Sequence, residues 1–286
     1  MKKNDLGMPS LAVRVLAPPA AMSSELDHLL PGTLSLRICD SKAALVQAVT
    51  ASLRDAVLAA LQQRGEASLV VTGGSTARAY YPQIAALDLP WQRVQITLSD
   101  ERLVAADHAD SNQRLVREQL LQGRAAAARF VPLVIERDSA SDRGHDAAGG
   151  LVGSIAEGTA QHLIAAATER LQTLARPFDL VLLGMGADSH LASLFPGAAG
   201  IEAALDPANP ALCCTVVPPA GVEPALPRLS LTLAALLDSR RILIVATGLA
   251  KRDAFERAAL GHWPLPSPVQ ALARHARQPV EFIWCR

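Results

Sequence analysis

From Lys42 onward, Leu45, Val49, Leu53, Ala56, Val57, Ala60 and Leu61 recur at helical spacing, and Gly65 follows as a residue that can close a helix in a left-handed turn. The period then changes. Residues 68–71 form a short apolar run of strand composition that leads into Thr72-Gly73-Gly74-Ser75-Thr76 and a second helical segment through Leu87. The same alternation predicts a strand over 94–98, a helix over 112–121 and a strand over 129–134. Residues 139–150 are polar and glycine-rich, as in a surface loop. Ser154 with Glu157 makes a capping box for a helix continuing to about Leu174, before Pro177. Residues 180–183 are the most continuous apolar strand. After a proline-rich stretch over 207–227, the pattern predicts a helix over 229–237, a strand over 242–246, a helix over 250–260 and a final strand over 280–284.

Short apolar strands alternating with helices indicate an α/β protein with a mixed, mainly parallel sheet flanked by helices on both faces. Residues 1–33 contain Pro9, Pro18, Pro19 and Pro31 with little periodicity and read as an irregular lead-in, leaving 34–286 as a single α/β domain. In such sheets ligands sit outside the carboxyl ends of the strands. The segments richest in reactive side chains are TGGST at 72–76, SDER at 99–102, GMGADSH at 184–190 and TGLAK at 247–251, and each begins where a predicted strand ends. They are expected to converge on one site.

Composition narrows the partner. The 27 Lys and Arg balance 27 Asp and Glu with no long like-charge run, which argues against nucleic acid or an anionic membrane. Aromatic residues are only 3% of the chain, so base-stacking platforms are scarce. Cys39, Cys213, Cys214 and Cys285 include no CxxC pair and no histidine at finger spacing, so no metal is expected and the thiols read as reduced. No apolar run of signal-peptide length follows Lys2 and Lys3 before Pro18, and no run reaches the roughly 18–20 apolar residues of a spanning helix. A cytoplasmic protein is the expectation.

Each candidate segment has two readings when taken alone. The Gly73-Gly74 turn is a phosphate cradle at a helix N-terminus, or a tight turn capped by Ser75 or Thr76. It lacks the lysine of a Walker loop and the third glycine of a dinucleotide fingerprint. Asp100-Glu101-Arg102 either offers Arg102 to a phosphate or carboxylate, or is a solvated charge cluster closing a strand. Ser111-Asn112 is an anion contact or a helix cap. In the Gly184–His190 segment, Asp188 stands two residues before His190, a spacing that can fix the tautomer of the imidazole and raise its basicity. His28, His108, His145, His162, His262 and His275 lack such company and read as surface residues. Arg228 and Lys251 are ordinary surface cations unless they meet the glycine turn, in which case they supply what a dianion requires.

Taken together, TGGST, Trp91 with Val94, SDER, Asp110-Ser111-Asn112, FDLVLLGMGADSHLASLFPG at 178–197, PRLSLT at 227–232 and GLAKRDAFERA at 248–258 resemble the 6-phosphogluconolactonase family in order and content. The resemblance runs from Thr72 to about Pro266. The continuation ASLFPG at 192–197 sets the chain apart from the related glucosamine-6-phosphate deaminases. The resemblance implies a fold related to the sugar-phosphate isomerases and deaminases, and hydrolysis of 6-phospho-D-glucono-1,5-lactone to 6-phosphogluconate in the oxidative pentose phosphate pathway without metal or cofactor. His190 matches the family's general base, supported by Asp188. Gly73, Gly74, Ser75 and Thr76 match the phosphate-side turn, and Asp100, Arg102, Arg228 and Lys251 fall at pocket positions.

The implied partner is a small sugar phosphate, bound by a monomer or small homo-oligomer. An amino-sugar-phosphate deaminase or isomerase on the same fold, or a non-catalytic sugar-phosphate sensor, are the competing readings. Two positions depart from the family pattern. Ala77 replaces a proline that mainly pre-sets the helix start. Ser189 replaces a glycine, and an ordinary backbone region is expected for it.

Overall fold

Ser41 opens the first long helix by accepting the backbone N–H of Ala44 at 3.1 Å, and Gly65, at φ 79°, closes it in the left-handed conformation anticipated from the sequence. The computed structural model describes residues 33–135 and 155–286. The lead-in up to residue 32, the loop read at 139–150 and Ser154 lie outside the described residues. In chain order the elements begin with β1 Leu34–Cys39, α1 Lys42–Arg64, β2 Ala67–Val71, α2 Ser75–Ala85, β3 Val94–Leu98, β4 Asp100–Arg102, α3 Asn112–Gln119 and β5 Arg129–Val131. They continue with α4 Glu157–Gln172, β6 Leu180–Gly184, α5 Ile201–Ala204, β7 Cys213–Val216 and β8 Arg228–Leu231. The last are α6 Leu233–Leu237, β9 Ile242–Thr247, α7 Leu249–Ala259, α8 Pro268–His275 and β10 Val280–Cys285.

Among the described residues seven strands form one parallel sheet in the order β1-β10-β9-β6-β2-β3-β5, and β4, β8 and β7 form a separate antiparallel sheet with β8 in the middle. Every residue of β2 and β10 is buried, as the continuous apolar runs require for strands covered on both faces. By length and composition α1 is apolar enough to cross a membrane, contrary to the expectation from the sequence. Its Leu45, Val49, Leu53, Val57 and Ala60 are instead buried in the core, as in an amphipathic helix packed on a sheet. The chain leaves β2 toward β3 and leaves β6 toward β9, so the connections diverge between two adjacent strands. A crevice opens at such a switch point, beyond the carboxyl ends of the strands.

Three expectations need correction. Residues 229–237 are not one helix: Leu229, Leu231 and Leu233 follow a period of two, and the first part is strand β8. Helix α6 starts only after Thr232, whose hydroxyl accepts from Ala235 N. Helix α4 begins at Glu157 after Ala156, so Glu157 stands at its first position rather than at the third position of a capping box. Asp100-Glu101-Arg102 is not a solvated charge cluster. It is a strand whose carboxylates are 4% and 2% exposed, drawn inside by pairing with β8.

Candidate active site

Strand β2 delivers Thr72 and the glycine turn to the crevice. Gly74 takes φ 92° and serves as N-cap of α2 with no side chain capping that end, so the first-turn N–H groups keep no side-chain partner. A helix N-terminus in that state attracts anions through its N–H groups and its dipole. At Gly73 a Cβ would lie 1.8 Å from Asn112 Oδ1, so the missing side chain is what lets Asn112 close on the turn. Asn112 in turn donates to Asp100 O at 2.9 Å.

The short antiparallel sheet sets two arginines side by side. Arg102 on β4 is the register partner of Arg228 on β8. Like charges directly opposite each other on neighbouring strands repel. Burial, and then the charge of Arg102, hold the Arg228 pKa below its ordinary value, while Asp100, Asp110 and Asp188 act in the opposite direction. Arg228 is 3% exposed, donates to Pro224 O at 3.0 Å and lies 4.9 Å above the ring of Phe195. Arg102 donates to Asp110 O at 2.6 Å. The Nε of each arginine is buried without a hydrogen-bond partner.

Buried carboxylates brace this pair. Asp100 accepts from the hydroxyls of Ser99 and Ser193, both at 2.7 Å. Glu101 accepts from the backbone N–H of Asn112 at 2.7 Å, Gln113 at 2.6 Å and Arg102 at 2.8 Å, tying β4 to the start of α3. Burial pushes the Glu101 carboxyl up to about 7, against the pull of those N–H groups.

At the end of β6, residues 186–190 fold back on themselves. Gly186 N donates to His190 O at 3.1 Å and Ser189 N donates to Gly186 O at 3.2 Å. The loop places His190 Nδ1 2.6 Å from Asp188 Oδ1. An ionised carboxylate only accepts, so Nδ1 carries the hydrogen and Nε2 is the nitrogen left to take a proton. The pair lies directly over Gly186, where a Cβ would come within 2.2 Å of both Asp188 Oδ1 and His190 Nδ1. Phe195 backs the imidazole at a centroid distance of 4.5 Å.

Burial acts to raise the Asp188 pKa, but the hydrogen bonds and charge of His190 outweigh it and hold the carboxyl below its ordinary 3.8. A depressed folded-state pKa adds stability that is present above the ordinary value and lost as pH falls through the folded value. Asp188→Asn should therefore be less stable than the parent at neutral pH and converge with it in acid. Acid unfolding followed by circular dichroism checks this, and a stability difference independent of pH would contradict it.

Of the ten site residues read from the sequence, Gly73, Gly74, Ser75, Thr76, Asp100, Arg102, His190, Arg228 and Lys251 line one cleft with a cavity of about 160 Å³. Asp188 does not line it and reaches it through His190. Burial lowers the Lys251 pKa while the nearby charge of Asp188 raises it. Sequence reasoning missed Ser193 and the cleft-lining Met185 and Ala192, although Ser193 sits within ASLFPG. Ser111 is a helix cap, accepting from Arg114 N, whereas Asn112 is part of the cleft wall. His108, His162, His262 and His275 lie outside the cleft. Among the described residues no three His, Cys, Asp or Glu side chains gather as a metal site. The expectation for Ser189 is overturned: its φ is 67°, in the left-handed region.

The chain is similar to known proteins over most of its length. The profile of the family described as glucosamine-6-phosphate isomerases/6-phosphogluconolactonase matches residues 40–284. A 6-phosphogluconolactonase of Rhizobium meliloti is 34% identical over 250 residues, covering 87% of this chain and 98% of that protein. One from Caulobacter vibrioides is 36% identical over 251 residues, covering 88% and 97%. The crystal structure of a 6-phosphogluconolactonase from Shewanella baltica OS155 superposes with a TM-score of 0.74 at 32% identity, over 90% of this chain and 100% of that one.

Proposed function

Since the chain belongs to the glucosamine-6-phosphate isomerase/6-phosphogluconolactonase family, we propose that its cleft hydrolyses 6-phospho-D-glucono-1,5-lactone to 6-phosphogluconate, with His190 as the base that activates water. The reaction rests on relatives named for it at 34% and 36% identity over nearly their whole length. The role of His190 rests on one observation, the 2.6 Å contact that commits Nδ1 to Asp188 and leaves Nε2 as the proton acceptor.

A lactone is an activated ester, and its hydrolysis needs a placed water, a base and donors for the developing oxyanion. Nε2 takes a proton as the water oxygen bonds to C1. The bond from C1 to the ring oxygen then breaks, and the imidazolium returns the proton to that oxygen. Asp188 holds the tautomer and favours the imidazolium by its charge. The phosphate belongs at the Gly73–Thr76 turn with Arg102, Arg228 and Lys251, where paired cations and free N–H groups await an anion. Holding the phosphate fixes C1 relative to the water, which is where the rate gain of a bound substrate arises.

The test is lactone hydrolysis with a chelator present, corrected for the spontaneous reaction, beside an assay for ammonia from glucosamine 6-phosphate. Lactone turnover undiminished by chelator and no ammonia are expected. Ammonia release would restore the deaminase reading. Tight binding of 6-phosphogluconate without turnover would make the protein a sensor. Chelator-sensitive activity restored by a divalent ion would contradict the metal-free mechanism.

A further inference from the structure

Two non-glycine residues among those described have positive φ, Ser189 at 67° and Ala192 at 51°, and they flank His190 and Leu191. Strain of this kind persists where surrounding structure holds it in place, and it clusters at functional sites. The hydrogen bonds of the 186–190 loop show why the angle is needed at Ser189. With Ser189 N bonded to Gly186 O and Gly186 N to His190 O, the loop is a turn followed by a left-handed residue that forms a bulge, the position glycine usually fills. His190 is the next residue, so the φ of Ser189 sets where the imidazole begins.

A serine there has a Cβ that disfavours the angle, and something must hold it. The Ser189 side chain is wholly buried, and its hydroxyl donates to Ser267 Oγ at 2.8 Å. Ser267 is itself 2% exposed and anchored: it is the N-cap of α8 and accepts from Gln270 N. The partner is thus a fixed point on another element, 78 residues along the chain.

We propose that Ser267 is a positioning residue for His190, acting through the buried hydroxyl pair with Ser189 that holds the 186–190 loop in its left-handed bulge. The serine pair does what a glycine at 189 does in the resembling family by conformational freedom alone. The inference rests on the reading of His190 as the base, but the latch itself is a property of the loop.

The experiment compares Ser189→Ala, Ser267→Ala, the double alanine variant, and Ser267→Ala in a Ser189→Gly background. It reads kcat and KM for the lactone and hydrogen-deuterium exchange of the 185–191 amides. Ser189→Ala keeps the Cβ that disfavours the angle, and the α8 cap, but removes the bond. It should lower kcat about five- to tenfold, in line with losing one net hydrogen bond, and speed exchange in the loop. KM should stay within about twofold, because the arginine pair is built on β4 and β8. Ser267→Ala should do the same in the parent, and the double variant should be no worse than either single one.

In the Ser189→Gly background, Ser267→Ala should change kcat and loop exchange by less than about twofold, although the lost cap still lowers Tm. Unchanged loop exchange in Ser189→Ala would overturn the latch whether or not the protein is a lactonase. So would an equal effect of Ser267→Ala in both backgrounds, which would reduce Ser267 to a helix cap. Faster loop exchange with no lactone turnover in the parent would leave the latch standing and remove the catalytic reading instead.

Discussion

Replacing His190 by alanine should lower kcat for 6-phosphogluconolactone by about 100- to 10,000-fold, the usual contribution of a positioned general base. Binding of 6-phosphogluconate should weaken far less, because Arg102, Arg228 and the Gly73–Thr76 turn stay on β4, β8 and α2. The fold should survive, since the imidazole is held by Asp188 and Phe195 at the cleft wall and no core contact depends on it alone. Activity within a few-fold of the parent would make the Asp188–His190 contact structural.

Arg228→Ala carries the second large effect. In the parent, register pairing forces Arg228 against Arg102, and burial disfavours its charge further. An anion in the cleft relieves both, so the phosphate should be gripped more strongly by this pair than by exposed cations. Removing a buried charged donor costs about 2–4 kcal/mol, or roughly 30- to 1,000-fold in kcat/KM for the phosphorylated lactone. Hydrolysis of unphosphorylated gluconolactone should change little, because no anion engages Arg228 there. Steady-state kinetics on both lactones decide it. An equal loss on both substrates would show that Arg228 supports the cleft rather than the phosphate.

The fold was legible where its period was clean. Strands β2, β3, β6 and β9 and the helices after β2 and β9 stand close to where the apolar pattern puts them, and their carboxyl ends bring the four motif loops together. The edge strand β1 and the short strands β4, β7 and β8 of the second sheet were not read. Leu34–Cys39 does alternate, with Leu34 and Leu36 buried and Ile38 half-buried, but it follows a lead-in without periodicity. Cys213–Val216 lies inside a proline-rich stretch.

Within the site, the kind of chemistry was visible and the pairings were not. Arg102 and Arg228 are far apart in the chain, and only the antiparallel register makes them neighbours. Ser193 with Asp100 and Ser189 with Ser267 are likewise distant in the chain and meet only through side-chain hydrogen bonds made by the fold. The burial of Glu101 followed from β4 becoming a strand, which three charged residues in a row do not suggest.

The most direct test is the ratio of kcat/KM for 6-phosphogluconolactone to that for gluconolactone in the unmodified protein, each corrected for spontaneous hydrolysis. Remote binding energy realised at the phosphate should appear as faster chemistry at C1, and a ratio of about 100 or more is expected. A ratio near one would mean that the paired arginines and the uncapped α2 N-terminus hold no phosphate during turnover, and the account of the cleft would fail.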